Sequence, residues 1–150
     1  METARDIMSR RVFYVAPDTP LVDAYRIMAA RKIRHVPVVR ANRLLGIISD
    51  RDILPHTRAA KPGLLVVDTL RASDVMTESL ITCAPSVTVG RIAGLLLDNH
   101  IDCVPIVRDS GDLIGIVTTS DLLMLLLPPY RPDEAVIPFD FQLSPLSAAA

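Results

Sequence analysis

Gly46-Ile47-Ile48-Ser49-Asp50-Arg51-Asp52 recurs 69 residues later as Gly115-Ile116-Val117-Thr118-Thr119-Ser120-Asp121. In both copies a glycine and two aliphatic residues lead to a hydroxyl side chain, and an aspartate follows three places on. Outward from this stretch the duplication continues. His35-Val36-Pro37-Val38-Val39 returns as Cys103-Val104-Pro105-Ile106-Val107, Ala16-Pro17 as Ala84-Pro85, and Asp6-Ile7-Met8 as Asp74-Val75-Met76, each at an offset of 68. One inserted residue near Asp109-Ser110-Gly111 accounts for the change of offset. Self-similarity at a fixed period means that one supersecondary unit is built twice. Two like units packed about a pseudo-twofold axis leave two like clefts between them.

Local signals give each unit the order β-α-β-β-α. A short opening strand is expected from Val12 to Val15 and from Leu80 to Cys83. Thr19 is the expected N-cap of the first helix, with Pro20 at the first helical position, where a missing N–H costs nothing. Leu21, Ala24, Ile27 and Met28 follow at helical spacing and turn to the core. The second copy repeats the stripe with Val89, Ile92, Ala93, Leu96 and Leu97, and adds Gly90 and Gly94. Each glycine costs a helix about 1 kcal/mol against alanine, so close packing of helix on sheet is the expected compensation. Two β-branched runs then flank turn residues: Val36 to Val39 and Leu44 to Ser49 about Ala41-Asn42, Val104 to Val107 and Leu113 to Thr118 about Asp109-Ser110-Gly111-Asp112. That is a hairpin pattern. Pro37 and Pro105 imply an edge or a strand start, because proline donates nothing to a ladder. Residues 1–54 form the first repeat, 55–73 a connection and 74–127 the second repeat; 128–150 form a Pro-rich tail that Phe139 and Phe141 would anchor if it docks on a neighbour.

Composition sets the remaining bounds. Half of the 150 residues are hydrophobic, with no tryptophan, so the core is aliphatic. The longest apolar run, Leu122 to Leu127 before Pro128-Pro129, is far short of a membrane span. With no leader pattern at the N-terminus, a cytoplasmic location is expected. Cys83 and Cys103 read as small buried hydrophobes, and His35, His56 and His100 share no metal-ligand spacing with them. No metal site is expected. Nor is there a phosphate-cradling glycine loop or a Ser-His-Asp arrangement, so no enzyme activity is expected. Residues 1–71 hold 13 basic and 7 acidic residues, residues 72–150 hold 3 and 10. A basic half against an acidic half argues against nucleic acid as partner. It favours internal or dimeric complementarity, an antiparallel pairing of copies, or a small anionic ligand.

The duplicated Asp-apolar-Met, Val-Pro-[Val/Ile] and Gly-apolar-apolar-[Ser/Thr]-x-x-Asp motifs make the chain resemble the cystathionine β-synthase (CBS) domain family, specifically a tandem pair, over residues 5–127. The resemblance implies an α/β (α+β) fold of two β-α-β-β-α CBS repeats about a pseudo-twofold axis. It implies a non-catalytic regulatory module for AMP, ADP or ATP, or for S-adenosyl compounds, that forms disc-like homodimers and answers to an effector protein. A pure dimerisation scaffold is the alternative.

By the same resemblance, one cleft joins Ser49 and Asp52 to Thr77 through Ile81, and the other joins Thr118 and Asp121 to Ser9 through Val12. The hydroxyl sits where a strand meets a helix start, among backbone N–H groups that welcome an anion. Both aspartate oxygens would accept from ribose hydroxyls, each such bond contributing about 1.5–3 kcal/mol. The same residues also suit plain structural duty, Ser49 and Thr118 as N-caps, Asp52 and Asp121 as first-turn acids. Arg34 and His35 are assigned to the first cleft, Asp102 and Cys103 to the second, with Arg51 on the surface close to the phosphates. On that basis the first cleft is expected to take a phosphorylated nucleotide. The second is expected to be weak, empty or suited to a neutral or cationic adenosyl ligand.

Overall fold

The structure, a computed structural model, describes residues 1–60, 63–66 and 69–127. The Pro-rich tail and Lys61-Pro62 of the connection lie outside the described residues. The element order is α1 (Ala4–Ile7), α2 (Leu21–Arg31), β1 (His35–Arg40), β2 (Arg43–Ser49), α3 (Asp50–Ile53), β3 (Thr57–Ala60), β4 (Gly63–Val66), α4 (Ala72–Val75), α5 (Val89–Asp98), β5 (Cys103–Val107), β6 (Leu113–Thr118) and α6 (Thr119–Met124).

Both expected hairpins form, β1 against β2 and β5 against β6, with matching registers from His35↔Ser49 and Cys103↔Thr118 outward. Ala41 and Asn42 both take positive φ, 49° and 66°, which matches the turn twist to that of the strands. Gly111 does the equivalent service at φ 86°. Pro37 and Pro105 lie inside β1 and β5, where their carbonyls accept from Val15 N–H (3.0 Å) and Cys83 N–H (3.1 Å). Their missing donors face the side where only that one bridge forms, so no ladder bond is lost.

Four local expectations change. The opening strands shrink to single parallel bridges, Val15↔Val38 and Cys83↔Ile106, because the chain touches the hairpin for one residue before turning into the helix. Thr19 does not cap α2. Its hydroxyl accepts from Ala16 N–H at 3.1 Å in the preceding turn, and Pro20 takes the cap position. Leu97 is 75% exposed, and Leu95 packs on the core in its place. Gly90 and Gly94 have nothing within 4 Å of a would-be Cβ. The close approach falls instead at Gly46 and Gly115, where a Cβ would lie 2.9 Å from Met76 Cγ and from Met8 Cγ respectively. The connection also carries a hairpin of its own, β3 against β4.

There are two aliphatic cores, and each is closed by a helix from the other repeat. Leu21, Met28, Val36, Val38, Ile48 and Ile53 are buried with Ala72 of α4; Ile92, Leu96, Val104, Ile106 and Val117 are buried with Ala4 of α1. Burying each of the larger of these side chains contributes about 1.5–3 kcal/mol. The exchange is fixed by backbone bonds: Ala72 N–H to Thr19 O and Leu21 N–H to Leu70 O on one side, Ala4 N–H to Val87 O and Val89 N–H to Glu2 O on the other. After α1 and α4 the chain keeps to the opposite hairpin, where Ser9 bridges Ile116 and Thr77 bridges Ile47. At the tips the hairpins meet, Leu44 N–H donating to Gly111 O and Leu113 N–H to Asn42 O. These reciprocal contacts define the pseudo-twofold axis and the seam.

Candidate functional site

Strand-to-helix junctions hold the hydroxyl and aspartate side chains. Ser49 N–H and Oγ both donate to Asp52 Oδ2, at 2.7 and 2.9 Å, and Asp52 N–H returns a bond to Ser49 Oγ at 3.2 Å. Thr118 N–H and Oγ1 donate to Asp121 Oδ2 at 2.7 and 2.9 Å. This capping box satisfies helix-end donors that would otherwise be orphaned. It also corrects the expectation that both aspartate oxygens are available, since Oδ2 is engaged within the protein. Oδ1 of Asp52 and of Asp121 makes no hydrogen bond among the described residues. Capping therefore occupies one oxygen of each carboxylate and leaves the other without a hydrogen bond among the described residues.

Two clefts open on the seam. The first, about 400 Å³, brings together Ser49, Asp52, Arg34, His35, Thr77 and Ile81. The second, about 280 Å³, brings together Thr118, Asp121, Ser9 and Val12. Cys103 and Asp102 are not in the second cleft but in the first. The crossed topology is the reason. Each cleft takes its hydroxyl and aspartate from one repeat, and its entry segment, helix end and strand proline from the other. Thus Ile101 and Pro105 line the first cleft, and Lys32, Ile33 and Pro37 line the second. Arg34 and His35 line both, because β1 starts at the axis with His35 opposite Ser49.

Sequence reasoning missed the contributions of these helix ends. The offset of 68 was the signal that could have found them, since Lys32 and His100 are equivalent and both adopt φ 53° at the end of a helix. A left-handed residue there, although neither is glycine, turns the chain from α2 or α5 into the strand at the seam.

Charge separates the clefts. The first sets Arg34 and Arg51 among Asp50, Asp52 and Asp102, and Arg51 lies 3.4 Å from Asp102 across the seam. The second sets Arg11, Lys32 and Arg34 about Asp121 alone. Burial holds the His35 imidazole below its usual pKa, against the opposing pull of Asp102 and Asp50. Burial likewise pushes the Cys103 thiol far up, reinforced by Asp121 and Asp102. A thiol so held is no nucleophile. Among the described residues no three His, Cys, Asp or Glu side chains are grouped to hold a metal, and no helix is long and apolar enough to cross a membrane.

Two stretches, residues 4–57 and 72–128, match the CBS domain family. The chain belongs to that family, as a tandem pair. Over 117 residues it is 34% identical to an inosine-5'-monophosphate dehydrogenase of Thermoplasma acidophilum, covering 78% of this chain but 22% of that enzyme. Among solved structures, the CBS domain pair of protein MJ0100 in complex with 5'-methylthioadenosine and S-adenosyl-L-methionine superposes with TM-score 0.72 at 26% identity, over 84% of this chain and 96% of that one. CBSX2 in complex with AMP superposes with TM-score 0.73 at 27% identity, again over 84% and 96%. CBS pairs are commonly regulatory modules that bind a nucleotide or an adenosine compound.

Proposed function

We propose that this chain is a regulatory module that binds an adenine nucleotide (AMP, ADP or ATP) at the seam between its repeats. In this reading it signals by a ligand-dependent change in shape or dimer geometry. One observation carries it: Asp52 holds its helix with Oδ2 while Oδ1 makes no hydrogen bond among the described residues, on the wall of an open cleft of about 400 Å³ where a ribose hydroxyl would donate to it. That volume lies within the range of small-molecule pockets. Thr77, Ser79, Leu80 and Ile81 face it from the other repeat and supply backbone groups and apolar walls for a purine. The AMP and S-adenosyl-L-methionine complexes of the similar pairs support the ligand class.

In this reading Ser49, Asp52, Arg34, His35, Thr77 and Ile81 serve the first site, and Thr118, Asp121, Ser9 and Val12 the second. The module acts as a cytoplasmic homodimer that reports to an effector protein. Exposed Leu97 on α5 with Leu123 and Met124 on α6 supports self-association by offering an apolar face at 75%, 58% and 66% exposure. Mass spectrometry of ligand released from natively purified protein tests the ligand class, with an adenine compound as the expected result. Calorimetry tests the residue: Asp52→Ala weakens binding of an adenine compound in the first cleft roughly 10- to 100-fold, the loss of one bond to a charged acceptor.

A second reading, a scaffold without ligand, is favoured by the completeness with which capping alone accounts for Ser49 and Asp52. Thermal shift with AMP, ATP and S-adenosyl-L-methionine separates the two. A ligand at 100 times its dissociation constant adds about 2.7 kcal/mol to stability, whereas a scaffold does not respond.

A further inference from the structure

The two clefts share a capping aspartate but differ in what surrounds it. In the first, the Arg51 guanidinium is matched by Asp102 at 3.4 Å, which leaves Arg34 to face the carboxylates of Asp50 and Asp52. In the second, Arg11, Lys32 and Arg34 outnumber Asp121, and none of the three makes an ion pair among the described residues. Cations gathered at a concave wall without counterions raise the local concentration of anions. Two of these three are arginines, whose fork of donors matches a phosphate in two bonds at once.

Resting on the adenine-binding reading, we infer that the clefts are specialised for opposite charge: the second takes the phosphorylated nucleotide, and the first a neutral or cationic adenosyl compound. This reverses the order expected from the sequence. That order placed Asp102 and Cys103 beside Thr118, whereas both line the first cleft. Arg34 borders both clefts. A phosphate bound in the second engages the cation that would otherwise offset Asp50 and Asp52 in the first. Occupation of the second cleft by an anion therefore deepens the preference of the first for a cation.

Adenosine and AMP differ only in the phosphate, so their affinities measured by calorimetry on the full chain, with S-adenosyl-L-methionine present in excess to fill the first cleft, isolate its contribution at the second. AMP is expected to bind about tenfold more tightly than adenosine, the scale of two or three exposed charge contacts. Arg11→Gln combined with Lys32→Gln brings the two affinities together, while Arg51→Gln, on the first cleft, leaves the preference for AMP in place. Arg11 and Lys32 are exposed, so the double variant keeps the fold. Equal affinities in the unaltered protein overturn the charge assignment and leave adenine binding standing. So does a preference that survives the double variant, or one that disappears in Arg51→Gln. No binding of either ligand overturns the adenine reading, and the charge assignment with it.

Discussion

The junctions at Ser49 and at Thr118 have nearly the same geometry, with hydroxyl-to-carboxylate bonds of 2.9 Å in both, yet the rooms they open on differ in size and charge. Duplication preserved what the backbone needs, the turn from strand into helix and its cap. It left free what the backbone does not need, the side chains at the helix ends and on the entry segments. On the cleft walls the repeats accordingly differ, with Arg34-His35 against Asp102-Cys103, Lys32 against His100 and Arg11 against Ser79.

The largest expected break in this parallel concerns the two glycines of β2 and β6. A Cβ at Gly46 would meet Thr77 O at 2.9 Å as well as the Met76 side chain, whereas at Gly115 its nearest neighbours are all atoms of the Met8 side chain. Backbone cannot give way as a thioether can. Gly46→Ala is expected to cost about 1–3 kcal/mol, the range of overpacked sites, and Gly115→Ala distinctly less. Denaturant midpoints of the two variants measure the difference.

Next come the caps, where the repeats should behave alike. Asp52→Ala and Asp121→Ala each remove a carboxylate that holds two donors, at an expected cost of about 1 kcal/mol. Melting temperatures that fall by similar amounts sharpen the parallel; a large drop in one repeat alone breaks it.

A pH response follows at the position where the first repeat has His35 and the second Cys103. The folded-state pKa of His35 lies below its ordinary value because of burial. The unfolded chain therefore binds the proton more readily. The contribution of His35 to stability is full above the ordinary histidine value of 6.5 and is lost as pH falls below it. His35→Cys, which copies the second repeat, is expected to flatten that part of the stability profile between pH 7.5 and about 5. The smallest effect belongs to Arg51→Ala. It breaks an ion pair whose arginine is 72% exposed, and it should change stability by less than about 1 kcal/mol.

The hairpins and the helix stripe of Leu21, Ala24 and Met28 were legible in the sequence because each follows from local periodicity, while the placing of Thr77 and Ile81 opposite Asp52 came from the resemblance to the CBS family. The exchange of α1 and α4 between cores was not legible. No residue marks a chain that crosses over, and Ala4 and Ala72 look like any small residues until their bonds to Val87 and Thr19 are seen. The misplacement of Asp102 and Cys103 has the same origin. The offset shows that they are equivalent to Arg34 and His35, but equivalence does not say which side of the axis a residue lines. Leu97 misled for a simpler reason: α5 is apolar around much of its circumference, so spacing alone could not choose between Leu95 and Leu97 for the inner face.

The interlocked short helices also bear on how such a chain can be inherited. A gene fragment encoding one repeat would carry a plug for an absent partner and lack the plug for its own interior. Loss or transfer of a single repeat would thus leave an open hydrophobic hole, and the heritable module is the pair.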